Sequence, residues 1–370
     1  MPDIYVVKDD GLPVPLSPVH CHDEGAELQH LLTANPNLLP GDQISPEDPC
    51  RWLLVGHEVP VQDPSTGDDR WSIDVVLVDQ NATPTFAECK RFLNTQARRE
   101  VVGQMLEYAA NGHYYWTADS LRELAAKTAG RGGTSLEQRL ATLVPESEGS
   151  PSEFFARVES NLREGQIRLI FFLEQAPQEL KSIVDFLNRQ MERAEVLIVE
   201  ARQFEINGMR VIAPALFGYT EQARMVKRSV TVNLPGRRNW NEETYFADVR
   251  ERLEPSSAEA LQRLLRFLMS SGCAIRWGTG RVTGSFSAVP KTFDRKSLLT
   301  AYSNGSITLN LVNMAGNQEL DSLRQRFVEG LQSLQIEVPQ DQVQGYFAVK
   351  IANLAPKLVQ LEKLISAIIC

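Results

Sequence analysis

Ile73-Asp74-Val75-Val76-Leu77-Val78-Asp79, a short break, and then Thr85-Phe86-Ala87-Glu88-Cys89-Lys90 is the stretch that decides how this chain reads. Both runs are rich in β-branched and aromatic residues. Asn81–Pro84 between them has turn composition, so a β-hairpin is predicted. Side chains two apart on a strand share a face, so Glu88 and Lys90 project together. The hairpin brings Asp74 alongside them. Two carboxylates and an amine converging on a sheet offer hard oxygen ligands to a divalent cation, with a positive charge built in beside it. That is the equipment for metal-assisted hydrolysis of a phosphodiester. An acid and a lysine at i and i+2 are also common as a solvated edge pair. The apolar surroundings of Ile73, Val75, Val76, Phe86 and Ala87 weigh against that reading here.

Working outward, Asp23–Ala34 predicts a helix with Leu28, Leu31 and Leu32 as its apolar stripe, ended by Asn35-Pro36. Strands are predicted at Trp52–Pro60, Trp71–Asp79 and Thr85–Lys90. A helix follows over Gln96–Asn111, with Asn111-Gly112 as its stop, and then a short aromatic strand at His113–Thr117. Ala118–Leu143 reads as helix interrupted at Arg131-Gly132-Gly133, and Pro145–Ser152 as a loop. Then come a helix (Glu153–Glu164), a buried strand (Ile167–Leu173), a helix (Pro177–Arg193) and strands at Glu195–Phe204 and Arg210–Ala215. A strand–helix–strand unit of this kind adds parallel strands to a sheet with helices on its faces.

The expected organisation is an α/β domain over residues 1–220, a locally basic linker over 221–240, and a smaller C-terminal α+β domain over 241–370. The last of these would serve recognition or homodimerisation. Its predicted elements are helices near Glu242–Leu253 and Ser257–Ser270, strands near Ala274–Trp277, Gly284–Ala288 and Ser306–Asn310, and helices at Gln318–Leu334 and Ala355–Ile368.

The 370 residues are 43% hydrophobic and 23% charged, the composition of an ordinary soluble globular protein. No window approaches a membrane helix and the start has no signal-peptide pattern. Five scattered cysteines, at 21, 50, 89, 273 and 370, predict a reduced, cytoplasmic protein. His20-Cys21-His22 has no second ligand pair at zinc spacing. The net charge of −9 argues against a generally basic surface, yet it leaves room for nucleic acid held in a local groove.

Asp74, thirteen intervening residues, and Glu88-Cys89-Lys90-Arg91 resemble the PD-(D/E)XK pattern of the restriction-endonuclease-like nuclease superfamily. Val102-Gly103-Gln104-Met105-Leu106-Glu107-Tyr108-Ala109 is similar to the glutamine-bearing helix of its RecB-type and NucS-type branches, Gln104 and Tyr108 giving their QxxxY signature. Glu27-Leu28-Gln29-His30-Leu31-Leu32 resembles the NucS-type opening helix. The resemblance covers residues 20–120 well and does not reach the C-terminal domain. Ile73 stands where the pattern often has proline.

The resemblance implies a restriction-endonuclease-like mixed sheet flanked by helices and a Mg²⁺- or Mn²⁺-dependent deoxyribonuclease, an endonuclease of defence or repair. Asp74, Glu88 and the Cys89 carbonyl would ligate metal, Glu27 would bind a second ion or the first through water, Lys90 would orient or deprotonate the attacking water, and Gln104 would position lysine, water or phosphate. Tyr108 is a weaker candidate, a core aromatic being the alternative. RNA stays open as substrate, and the rival is a non-catalytic nucleic-acid-binding or interaction protein retaining the fold. Arg98 at the glutamine helix, and Arg237-Arg238 beside Trp240, are candidate nucleic-acid contacts. Gly278–Gly284 is a Gly-rich basic turn without the lysine–serine pair of a phosphate loop, and reads as a structural hairpin.

Overall fold

The apolar run Ile73–Val78 is buried on both alternating faces, which requires a sheet covered on both sides. The computed structural model describes residues 4–7, 11–46, 48–62, 69–91, 95–144, 150–218, 240–278, 283–293, 296–315 and 318–369, the side chains of 62, 69–71, 95–99, 113–115 and 341 excepted. The chain divides into two compact units. The first holds Met1–Ile44, Cys50–Leu136 and Gly149–Val230; the second holds Ser45–Pro49, Glu137–Glu148 and Thr231–Cys370. Two short segments from within residues 1–220 thus group with the C-terminal unit. One is fastened there by Arg276 Nη1 donating to the Pro46 carbonyl at 2.7 Å. Most of the expected 221–240 linker, Arg237 and Arg238 included, lies outside the described residues.

In the first unit β1 (Tyr5–Val7) and β2 (Pro13–Pro15) form a two-stranded ribbon. The main sheet is mixed. β3 (Ser17–Val19) pairs antiparallel with β8 (Glu195–Ile206), as does β9 (Met209–Phe217). β4 (Trp52–Gln62), β5 (Asp69–Asp79) and β6 (Pro84–Lys90) are successive antiparallel neighbours, while β6, β7 (Arg168–Leu173) and β8 run parallel. One face packs Val75, Leu77, Ala87, Cys89, Ile170 and Phe172 beneath Leu28 and Leu32 of the opening helix. That helix starts with a π-wound turn, Glu24–Gln29, and continues as α1 (His30–Ala34), followed by α2 (Gly41–Ile44). The opposite face meets α3 (Thr95–Tyr115) and α4 (Ala118–Arg131): Tyr108 donates to the Ser72 carbonyl, and Thr128 to that of Val55. α5 (Leu136–Leu143) belongs but for its first residue to the second unit, and α6 (Pro151–Arg163) and α7 (Gln178–Gln190) complete the first.

The β5–β6 turn is over-determined. Asp79 Oδ1 accepts the N–H of Asn81 and of Thr83, both at 2.9 Å, and Asn161 donates to the carbonyls of Asn81 and Ala82 at 3.2 and 2.8 Å. These bonds hold Ala82 at φ 59° without a glycine. The hairpin register is thereby set, and with it the position of Asp74 against Glu88.

The predicted stop at Asn111-Gly112 and strand at His113–Thr117 are corrected: α3 continues to Tyr115. Gly112 is there for close packing, since a Cβ would sit 3.0 Å from the Trp116 ring. Trp116 in turn meets Phe86 edge-on, with centroids 5.3 Å apart.

The second unit has helices Glu242–Arg252 and Pro255–Ser270 and a five-stranded antiparallel sheet in chain order. Its strands are β10 (Ala274–Trp277), β11 (Ser285–Val289), β12 (Leu299–Tyr302), β13 (Ser306–Leu309) and β14 (Phe347–Lys350). Phe286, Ala288, Ala301, Ile307 and Leu309 share a core with Leu261, Leu264, Phe327 and Ile365, the last two from helices Gln318–Ser333 and Leu358–Ile369. The sequence reading lacks β12 and β14. Among the described residues no helix is long and apolar enough to cross a membrane.

Candidate functional site

The site follows from the register of β5 and β6. Val75 opposes Ala87, so the next rung sets Asp74 against Glu88 on one face of the sheet, a cross-strand pair of like charge. Glu88 is only 2% exposed, and Asp74 is half-buried. The Cys89 N–H donates to Asp74 Oδ2 at 2.8 Å, and Lys90 Nζ lies 3.2 Å from Glu88 Oε1. Among the described residues Glu88 Oε2 has no hydrogen-bond partner. Burial raises the Asp74 carboxyl, against the pull of Lys90 and the Cys89 N–H. Burial, and next the Asp74 charge, push Glu88 up to about 7. Burial works against the Lys90 ammonium, but Glu88, Asp74 and Glu24 outweigh it and its pKa is raised.

The opening helix supplies further groups. Asp23 caps it, accepting from the Ala26 N–H at 2.6 Å, and Gln29 Nε2 ties it to the Asp74 carbonyl at 3.0 Å. The acid it turns toward the lysine is Glu24 rather than Glu27. Glu24 Oε2 is 3.5 Å from Lys90 Nζ, and its Oε1 accepts the Arg91 N–H at 2.5 Å. Glu27 instead accepts the His22 N–H at 2.8 Å and faces Arg210 at 3.3 Å. The His22 N–H leads the interactions that hold its pKa down. The spacing carried a signal for this, since Glu24, Leu28 and Leu32 are successive i+4 positions and both leucines are fully buried. Gln29 and Arg91, whose guanidinium donates to the His22 carbonyl, stand within the quoted motifs but receive no role in the sequence reading.

On α3, Tyr108 is buried with its hydroxyl on the Ser72 carbonyl at 2.9 Å. Burial, with Glu88 and Asp74 nearby, raises its pKa, so the phenol stays neutral and braces β5. Gln104, one turn earlier on the same helix face, is half-buried and has no hydrogen-bond partner among the described residues. The Cys89 side chain points into the core beneath Leu28, away from the acids, and burial drives its thiol pKa far up. Its sulfur is no ligand for a hard cation. The Arg98 side chain, Arg237 and Arg238 lie outside the described residues. Gly278–Gly284 links the antiparallel neighbours β10 and β11.

Among the described residues no three His, Cys, Asp or Glu side chains stand together closely enough to hold a cation unaided. Asp74 and Glu88 nevertheless fit a hard divalent ion. They are paired carboxylates with one oxygen left orphaned, and Mg²⁺ commonly takes only one or two protein carboxylates and fills its shell with water and substrate oxygens. No family model, curated protein or solved structure matches this chain.

Proposed function

We propose that the first unit is a restriction-endonuclease-like nuclease domain that hydrolyses DNA phosphodiester bonds with Mg²⁺ or Mn²⁺. The observation behind this reading is the Asp74–Glu88 pair, buried on adjacent strands, with Glu88 Oε2 orphaned and a single lysine 3.2 Å from Oε1. A buried carboxylate left unsatisfied costs stability, and such cost gathers where a ligand is to bind.

Asp74 and Glu88 would hold the ion, which polarises a phosphate oxygen and lowers the pKa of a bound water. Lys90, charged and steadied between Glu88 and Glu24, orients the attacking water and offsets charge developing on the phosphate. Gln104 offers its free amide to water or phosphate. Tyr108 and Gln29 act by positioning, each through a bond to the β5 backbone, at Ser72 and at Asp74 itself.

The test is cleavage of linear, closed-circular, single-stranded and branched DNA, and of RNA, with Mg²⁺, Mn²⁺ or EDTA. Metal-dependent cleavage of DNA is expected, and nicking of the closed circle identifies endonuclease action. Asp74→Ala and Lys90→Ala should each slow cleavage by ~10²-fold or more with the fold retained. If wild type and both variants behave alike, the catalytic reading is wrong, and retained DNA affinity would then favour a binding module.

A further inference from the structure

Arg91 follows directly on Lys90 at the end of β6, and its backbone is pinned where it leaves the sheet. The Arg91 N–H donates to Glu24 Oε1 at 2.5 Å, and the other oxygen of that carboxylate faces Lys90. Its guanidinium is fixed as well, Nη1 donating to the His22 carbonyl. That carbonyl is a neutral acceptor. Among the described residues Arg91 forms no ion pair, and its Nε is hidden from solvent without a hydrogen-bond partner.

The other arginines of this sheet are answered by carboxylates. Arg168 Nε meets Glu195 at 2.6 Å and its Nη1 meets Asp79 at 3.2 Å. Arg202 meets Glu200 at 2.9 Å, and Arg210 meets Glu27 at 3.3 Å. Arg91 is half-buried and held at one nitrogen, and its Nε–Nη2 edge has no partner among the described residues. That edge is the fork with which an arginine grips a phosphate through two parallel hydrogen bonds. A partly buried cation without a counter-charge costs stability, and such a cost gathers at binding sites.

At ~3.3 Å per residue, Arg91 lies roughly 10 Å beyond Glu88 along the backbone. The scissile phosphate belongs with Asp74, Glu88 and Lys90, so Arg91 faces a different one. We propose that Arg91 binds a DNA backbone phosphate next to the scissile phosphate, positioning the strand without taking part in the bond-breaking step. The proposal rests on the nuclease reading above and adds a substrate contact to it.

Binding of a labelled DNA duplex, and of its single strand, to the full chain in Ca²⁺ or EDTA across a salt series tests it apart from cleavage. Losing one phosphate contact should reduce the slope of log K against log salt by ~0.9 for the duplex or ~0.7 for the single strand. Arg91→Gln keeps a donor for the His22 carbonyl but loses the charge, so it should show that drop with about tenfold weaker binding. Arg91→Met carries the test if Arg91→Gln fails to fold. Arg91→Lys keeps the charge and should restore the slope, which a purely bracing side chain would not do. In Mg²⁺, Arg91→Gln should raise KM about tenfold and leave kcat within about twofold. An unchanged slope in Arg91→Gln, or a loss that Arg91→Lys does not restore, overturns this proposal. The nuclease reading then stands if Asp74→Ala still slows cleavage. An Arg91-dependent slope without metal-dependent cleavage overturns the nuclease reading alone, and wild type that binds neither DNA overturns both.

Discussion

Glu88 and Glu200 are both glutamates on parallel strands flanking β7, and they are almost equally hidden, at 2% and 3% exposure. Their surroundings are opposite. Glu200 is satisfied by Lys181 at 2.7 Å, Arg202 at 2.9 Å and the Ala176 N–H at 3.1 Å. Burial works to raise its pKa, but these partners outweigh it and the pKa is lowered. Glu88 has one lysine, an opposing aspartate and an orphaned oxygen, and its carboxyl is pushed up to about 7. Burial of a carboxylate is thus no measure of its purpose. A compensated one holds the fold together, and an uncompensated one is where we propose that a cation binds.

The largest expected effect is a difference in sign. Glu200→Gln should destabilise the protein by ~2 kcal/mol, because Lys181 and Arg202 lose their counter-charge, a cost moderated by their partial exposure. Glu88→Gln in EDTA at pH 8 should stabilise it by about 1–2 kcal/mol, because a buried like-charge pair is relieved. Urea unfolding of both variants reads this directly, and destabilisation of similar size at both sites would erase the contrast.

The pH dependence should differ in the same way. The Glu88 carboxyl titrates higher in the folded chain than in the unfolded one, so in EDTA its contribution declines as pH rises from about 4.5 to about 7. The Glu200 carboxyl is depressed by folding, so its contribution is present above the unfolded pKa and lost as pH falls through the folded one. Melting temperature followed from pH 4 to pH 8 should lose its neutral-side decline in Glu88→Gln. In wild type, saturating Mg²⁺ should flatten the same decline.

The smallest effect separates the two acids of the opening helix. Glu24→Gln should slow metal-dependent cleavage about fivefold, the rate equivalent of ~1 kcal/mol, with little change in melting temperature. Glu27→Gln should do the reverse, costing ~1 kcal/mol of stability by removing the charge that strengthens its loop hydrogen bonds and faces Arg210, while leaving the rate alone. An effect on rate from Glu27→Gln alone would restore that residue to the site.

Much of the fold was legible because alternation and helical spacing are local properties. Val75 and Leu77, two residues apart, are buried on one face of β5, as their spacing foretells. The end of α3 was misread because a glycine can serve either to stop a helix or to admit a ring, and only Trp116 decides which. Glu27 was favoured over Glu24 on the resemblance alone, although the i+4 spacing of Glu24, Leu28 and Leu32 pointed to Glu24. The positive φ of Glu58 within β4 left no trace in composition.

By itself, then, the sequence determined which residues alternate on each strand, and so that Glu88 and Lys90 share a face. The tertiary structure alone decided how each charge is answered. Glu24 meets Lys90 from 66 residues away, and Lys181 reaches Glu200 from another element. A period of two along one strand says which way a side chain points, but not which rung it occupies opposite its neighbour. Electrostatic compensation depends on the rung.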